Sequence, residues 1–183
     1  MEKLLCAVDI DDNILYEITK DEAHRKGILH RAFSVVLYNK DAILLQKRAA
    51  NKYHCGGLWS NTCCSHPGPH ESIEISAKKR LNDELGIVDV GIYPFGSIMY
   101  YYEFTNGLKE YEYDHIYLGE FNGEVHINKD EVSEIKWIDA NVLKSILQKH
   151  PEKFTPWFII MFSKIYPYIM KKNGESCNES KII

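Results

Sequence analysis

The stretch Asn61-Thr62-Cys63-Cys64-Ser65-His66-Pro67 sets two adjacent cysteines beside a histidine. A thiol can ligate a metal, pair with another thiol or carry a proton, and an imidazole can ligate or exchange protons. In extended backbone successive side chains point to opposite faces, so Cys64 and His66 share one face and Cys63 takes the other. Cys-Cys-x-His lacks the paired C-x2-C spacings of a structural zinc module, and neighbouring strand cysteines diverge, which removes a thioredoxin-like pair. Cys64 therefore reads as an acid–base group facing the same cavity as His66.

The same alternation puts Glu110 and Glu112 of "EYE" on one face and Tyr111 on the other. Two carboxylates in one patch repel unless a cation or a proton lies between them; the alternative is a solvated strand face. His24 and His30, in "EAHRKGILHRAF", are weak signals singly. Arg48 and Lys52 place two cations four residues apart beside Gly56-Gly57, and Lys20 and Arg80 are able to converge with them. Either these are surface charges or they surround a diphosphate, which needs several donors and a divalent cation.

From Ser65 to Ile87 the chain fits the frame of the Nudix box, G-x5-E-x7-R-E-U-x-E-E-x-G-U. Glu71, Leu81, Glu84, Gly86 and Ile87 match. Ser65 replaces the first Gly, Lys79 the Arg, Arg80 the following Glu and Asp83 a further Glu. Replacing a carboxylate by Arg80 removes a group expected to hold metal for attack by water on phosphorus, and it adds a cation. The altered box is expected to bind a diphosphate without cutting it.

Elements must position these groups. The run 32–48 reads as two strands around Asn39-Lys40-Asp41. Apolar residues at 73, 77, 81 and 85, closed by Gly86, predict a helix over 71–85. Further strands are expected at "IMYYYEF", "EYEYDHIYLGEF", "EVHI" and "EIKWID", with Asn-Gly turns at 106–107 and 122–123. A short helix over 140–149 and a last one from Pro156 to about Lys172 follow. The polar residues 173–183 read as a disordered tail after a single domain, 1–172.

Composition sets the limits. The 183 residues, 45% of them apolar, suffice for one domain with its own core. Twenty-two Lys and Arg against 26 Asp and Glu give a net charge of −4, with no broad basic field for nucleic acid. The five cysteines are odd in number, which suits a reduced, cytoplasmic setting. No run approaches the roughly 20 apolar residues of a membrane span.

Taken together, "SNTCCSHP", the two upstream histidines, the altered box ending "NDELGI", "NGLKEYEYDH" and "FTPWF" resemble the type I isopentenyl-diphosphate δ-isomerases over about residues 4–170. The resemblance implies an α/β (α+β) fold, a Nudix-like mixed β-sheet sandwiched between helices. It also implies interconversion of isopentenyl and dimethylallyl diphosphate by 1,3-allylic proton transfer. By the same resemblance His24, His30, His66, Glu110 and Glu112 are metal ligands for Mn2+, Zn2+ or Mg2+, and Glu84 helps hold a Mg2+ on the diphosphate. Cys64 and Glu112 match the catalytic pair, with Tyr101 taken as the catalytic tyrosine from the run Tyr100-Tyr101-Tyr102. Lys20, Arg48, Lys52 and Arg80 match the phosphate-binding cations, and Trp157 the aromatic over the hydrocarbon. The expected partner is a small allylic or homoallylic diphosphate, with neither nucleic acid nor membrane, and the expected state is a monomer or weak dimer. Two rivals stay open: a Nudix hydrolase of a nucleoside or other diphosphate, and a metal-binding module without catalysis.

Overall fold

His30–Asn39, HRAFSVVLYN, is a ten-residue strand rich in β-branched and aromatic side chains, and the sheet is built around it. The computed structural model describes residues 4–179, with side chains through Lys172. The elements run β1 (Leu4–Val8), β2 (Ile14–Thr19), α1 (Lys20–Lys26), β3 (His30–Asn39), β4 (Ala42–Arg48), β5 (Trp59–Ser60) and β6 (Cys63–Ser65). They continue with α2 (Ile73–Leu85), β7 (Tyr93–Glu103), β8 (Lys109–Glu120), β9 (Val132–Asp139), α3 (Ala140–Lys149) and α4 (Pro156–Glu179).

β3 pairs in parallel with β8 from His30↔Glu112 to Tyr38↔Glu120. Its other edge meets β1 at Ala7↔His30, β6 at Ser34↔Cys64 and β4 at Tyr38↔Ile43, all antiparallel. Side-chain alternation then sorts the two faces. Phe33, Val35 and Leu37 pack with Leu44, Cys63 and with Ala77, Leu81 and Leu85 of α2. Val36, Tyr38, Ile116 and Leu118 pack with Leu143 of α3 and Trp157, Phe158, Met161 and Ile165 of α4. The sheet is mixed and lies between helices, as the resemblance implies.

Four local expectations change. "EVHI" is not a strand: the chain passes the end of α2, where His126 N–H donates to the Leu85 carbonyl (2.8 Å) and Asn128 N–H to that of Glu84 (2.9 Å). Gly86 caps α2 at φ 63°, and a Cβ there would stand 3.0 Å from His126. The α2 helix begins at Ile73 rather than residue 71. The last helix continues past Lys172 to Glu179, and 180–183 of the expected tail lie outside the described residues. Finally, α1 was not foreseen. Thr19 caps it by accepting from Glu22 N–H, and Thr-x-x-Glu is the capping signal that marks such a start. Among the described residues no helix is long and apolar enough to cross a membrane.

Candidate active site

Five buried side chains converge at the start of the β3–β8 pair. His24 comes from α1, His30 from β3, His66 from just past β6, and Glu110 and Glu112 from β8; one ligand-type atom of each lies within 4.8 Å of all the others. The alternation read from "EYE" and "TCCSHP" is the alternation observed.

The imidazoles are oriented from behind. His24 Nδ1 bonds the Lys20 carbonyl at 2.7 Å and His30 Nδ1 the Ile28 carbonyl at 2.8 Å, so each Nδ1 carries the proton and each Nε2 offers a lone pair inward. His30 Nε2 stands 3.2 Å from His66 Nε2, and His66 Nε2 stands 2.7 Å from Glu112 Oε1. Burial drives the basicity of His66 well below the usual imidazole value and that of His30 down to about 4, so both rings are neutral at pH 7. His24 Nε2 and Glu110 Oε2 are buried 3.3 Å apart with no hydrogen bond. Buried polar atoms without partners are costly, and here they are the donor atoms a divalent cation requires. The donor set fits a metal ion.

The two carboxylates differ. Burial pushes Glu110 up, but contacts with His24 and His54 outweigh it and hold the group well below the usual carboxylate range. Burial and the neighbouring Glu110 charge push Glu112 well above that range. Glu112 turns Oε1 to His66 and accepts on Oε2 from the Tyr100 hydroxyl at 2.6 Å.

This contact corrects the tyrosine. Cross-strand partners share a face, and the β7–β8 register pairs Tyr100 with Glu112, Tyr102 with Glu110 and Tyr101 with Tyr111. Tyr101 therefore points away from the site; it is 52% exposed and donates to Glu103. Counting back through the Asn106-Gly107 hairpin would have found Tyr100.

Cys64, Glu112, Tyr100, Lys20, Arg48, Lys52, Arg80 and Trp157 all line one pocket of about 100 Å³. Burial raises the Cys64 thiol to about 12, and the nearest cation is Arg48, with Nη1 3.9 Å from Sγ. Cys63 faces the α2 core instead and is fully buried. The Arg48 guanidinium lies 5.4 Å from the Trp157 ring centre, and Trp157 Nε1–H donates to Ser60 Oγ (3.1 Å) and Asn61 Oδ1 (3.3 Å). Glu84 lies outside the five-residue cluster: it accepts from Gln46 Nε2 at 3.0 Å and pairs with Arg80 at 2.7 Å. Two site residues had no sequence signal. Glu131 holds both Lys52 and Arg80, the latter at 2.5 Å, and His54 places Nε2 2.5 Å from Glu110 Oε1.

A NUDIX domain model matches residues 28–158. Isopentenyl-diphosphate Delta-isomerase 2 of Photorhabdus laumondii is 44% identical over 86% of this chain and 89% of its own length. The isopentenyl-diphosphate Delta-isomerase of Burkholderia multivorans is 41% identical over 90% and 93%. Among solved structures, a Deinococcus radiodurans protein superposes with a TM-score of 0.74 at 15% identity, covering 88% of this chain and 98% of its own. A MutT NUDIX hydrolase from Burkholderia pseudomallei gives 0.60 at 19% identity, over 74% and 96%. Those two share the fold. The histidine–carboxylate cluster, the Cys64–Glu112 pocket and the two relatives agree, and the chain belongs to the isopentenyl-diphosphate Delta-isomerase family within the NUDIX fold.

Proposed function

We infer that this protein is an isopentenyl-diphosphate Delta-isomerase that moves a carbon–carbon double bond by protonating the terminal methylene of isopentenyl diphosphate and removing a proton from the carbon beside the oxygen-bearing one. The observation that carries the reading is one small pocket bearing a buried carboxyl with a tyrosine hydroxyl on its second oxygen, a half-buried thiol, and four cations. Hydrolysis has no use for Cys64, and Arg80 occupies the position where the hydrolase frame has a carboxylate.

Glu112 is the proton donor in the forward direction. Its Oε1 is engaged with the histidine cluster, so the exchangeable proton moves at Oε2, where the Tyr100 hydroxyl supports it. Cys64 is the acceptor. In the free protein it carries its proton, which is the form that begins the reverse conversion; the forward direction starts from the thiolate, favoured by Arg48. Each forward turnover leaves Glu112 ionised and Cys64 protonated, and exchange with solvent returns a proton to Glu112 and removes one from Cys64 before the next.

The cation that develops at the branched carbon needs a surface that attracts charge without capturing it. The Trp157 π face does this, worth on the order of 2 kcal/mol when water is excluded. Lys20, Arg48, Lys52 and Arg80 anchor the diphosphate. His24, His30, His66, Glu110 and Glu112 would hold a divalent ion, which would supply fixed positive charge at the carboxylates, and Glu84 would help hold a Mg2+ against the diphosphate charge. Three imidazoles and two carboxylates would suit Mn2+, Zn2+ or Mg2+. The reading carries with it a monomer or weak dimer, and the free cysteines among the described residues support a cytoplasmic setting.

Incubating purified protein with isopentenyl diphosphate and Mg2+ tests the reading. Dimethylallyl diphosphate is the expected product; release of phosphate would identify a hydrolase, and no product a binding module.

A further inference from the structure

We propose that His54 is a positioning residue for the histidine–carboxylate site, holding the outer oxygen of Glu110 by Nε2–H so that the inner oxygen is presented to the metal. The proposal rests on the reading of that cluster as a metal centre.

The case begins with what the other imidazoles do. His24 and His30 spend their Nδ1 protons on backbone carbonyls and turn bare Nε2 atoms inward, the arrangement of ligands. His54 does not. Its Nδ1 is buried and unpartnered, so no backbone acceptor fixes the tautomer that would free Nε2 as a ligand. Its Nε2 stands 2.5 Å from Glu110 Oε1, off the line of an ideal hydrogen bond but closer to that carboxylate than His24 Nε2, which is 3.3 Å from Oε2. The two oxygens of Glu110 thus have different neighbours: Oε1 faces His54 and Oε2 faces the ligand cluster.

The ring is held by packing instead of by a second hydrogen bond. It stacks on Phe104, with ring centres 5.3 Å apart and planes at 17°, and meets Trp157 edge-on at 5.8 Å and 86°. Its carbonyl accepts from Arg48 Nη2 at 3.2 Å, tying the same residue to a cation of the diphosphate end. Fixing a carboxylate from behind raises metal affinity because the ligand oxygen no longer has to be ordered on binding; loss of such a partner costs about ten- to a hundredfold in affinity. Glu112 has the analogous arrangement, with Tyr100 on its second oxygen. Each carboxylate of the site would then have its own holder.

The test uses full-length protein stripped by chelator and titrated with Mn2+ or Zn2+ against a competing indicator, comparing His54→Phe with His54→Gln. His54→Phe keeps the aromatic stack and removes the donor; His54→Gln restores an N–H donor and removes the ring. The expected result is metal binding about ten- to a hundredfold weaker in His54→Phe and largely recovered in His54→Gln, with circular dichroism unchanged in both. Wild-type affinity in His54→Phe would show that the ring only walls the pocket. Equal weakening in both variants, with a Co2+ absorption spectrum that changes for both, would make His54 a ligand and overturn the positioning role. Wild-type protein that binds neither ion would remove the metal reading itself, a different outcome from either.

Discussion

The two ends of the pocket are built on opposite terms. At the histidine end the groups are 0–8% exposed, two imidazoles are fixed by carbonyls, and two donor atoms lack partners. At the cation end Arg48 is equally buried, but two side chains are more open and already paired: Arg80 sits between Glu84 and Glu131, and Lys52 is on Glu131. The first end is rigid and wants a cation. The second holds Lys52 and Arg80 on carboxylates of its own, so on the proposed reading an incoming diphosphate would compete with Glu131 for them. On the proposed reading, proton transfer would depend on the first end and binding strength on the second.

Substitutions at the rigid end should act on turnover, and there the contrast is largest. Cys64→Ala or Glu112→Gln is expected to lower kcat on the order of a thousandfold or more, whereas Cys63→Ala, on the α2 side, should keep most activity. Equal losses for the two cysteines would break the facing argument. Full rescue of Glu112→Gln by added metal would reduce that residue to a ligand. The tyrosines give a finer cut: Tyr100→Phe should cost about ten- to a hundredfold in kcat, and Tyr101→Phe almost nothing.

Arg80→Ala should instead raise KM, about tenfold for each 1.4 kcal/mol of uniform binding lost, with a smaller change in kcat. An unchanged KM at saturating Mg2+ would move the diphosphate elsewhere and erase the contrast between the ends.

A separate effect is on stability. His30, at about 4 in the fold against an ordinary 6.5, binds fewer protons folded than unfolded between those pH values. Its contribution is complete above pH 6.5 and is lost as pH falls toward 4, on the order of 3 kcal/mol. The Tm of metal-free protein should therefore drop between pH 7 and 5, and the drop should be shallower in His30→Gln. Parallel slopes for the two proteins would remove His30 from the account.

Much of this architecture was legible in the chain, for identifiable reasons. Alternation is geometric, so Cys64 facing His66 and Glu110 joining Glu112 could be read directly. The helix caps at Gly86 and Pro156 are local chemistry of the same kind. Tyr101 was taken in place of Tyr100 because the choice among three consecutive tyrosines depends on hairpin register, a property of two strands together. His54 and Glu131 stayed hidden because their meaning comes from tertiary partners, Glu110 for one and Lys52 with Arg80 for the other. "EVHI" has the composition of a strand, yet the end of α2 takes the N–H groups of His126 within it and Asn128 just after it.

The parallel seam between β3 and β8 bears on the order of folding. His30 and His66 are 36 positions apart and His66 and Glu112 a further 46, so the proposed ligand set closes only when distant segments meet. Bringing such segments together costs loop entropy before any contact repays it, which makes parallel pairing a late and slow event. The β7–β8 hairpin and α2 can form from neighbouring residues, but no local piece of the chain carries three histidines and two glutamates. High-affinity metal uptake during refolding should therefore lag behind helix formation, and it would time the moment at which the seam zips shut.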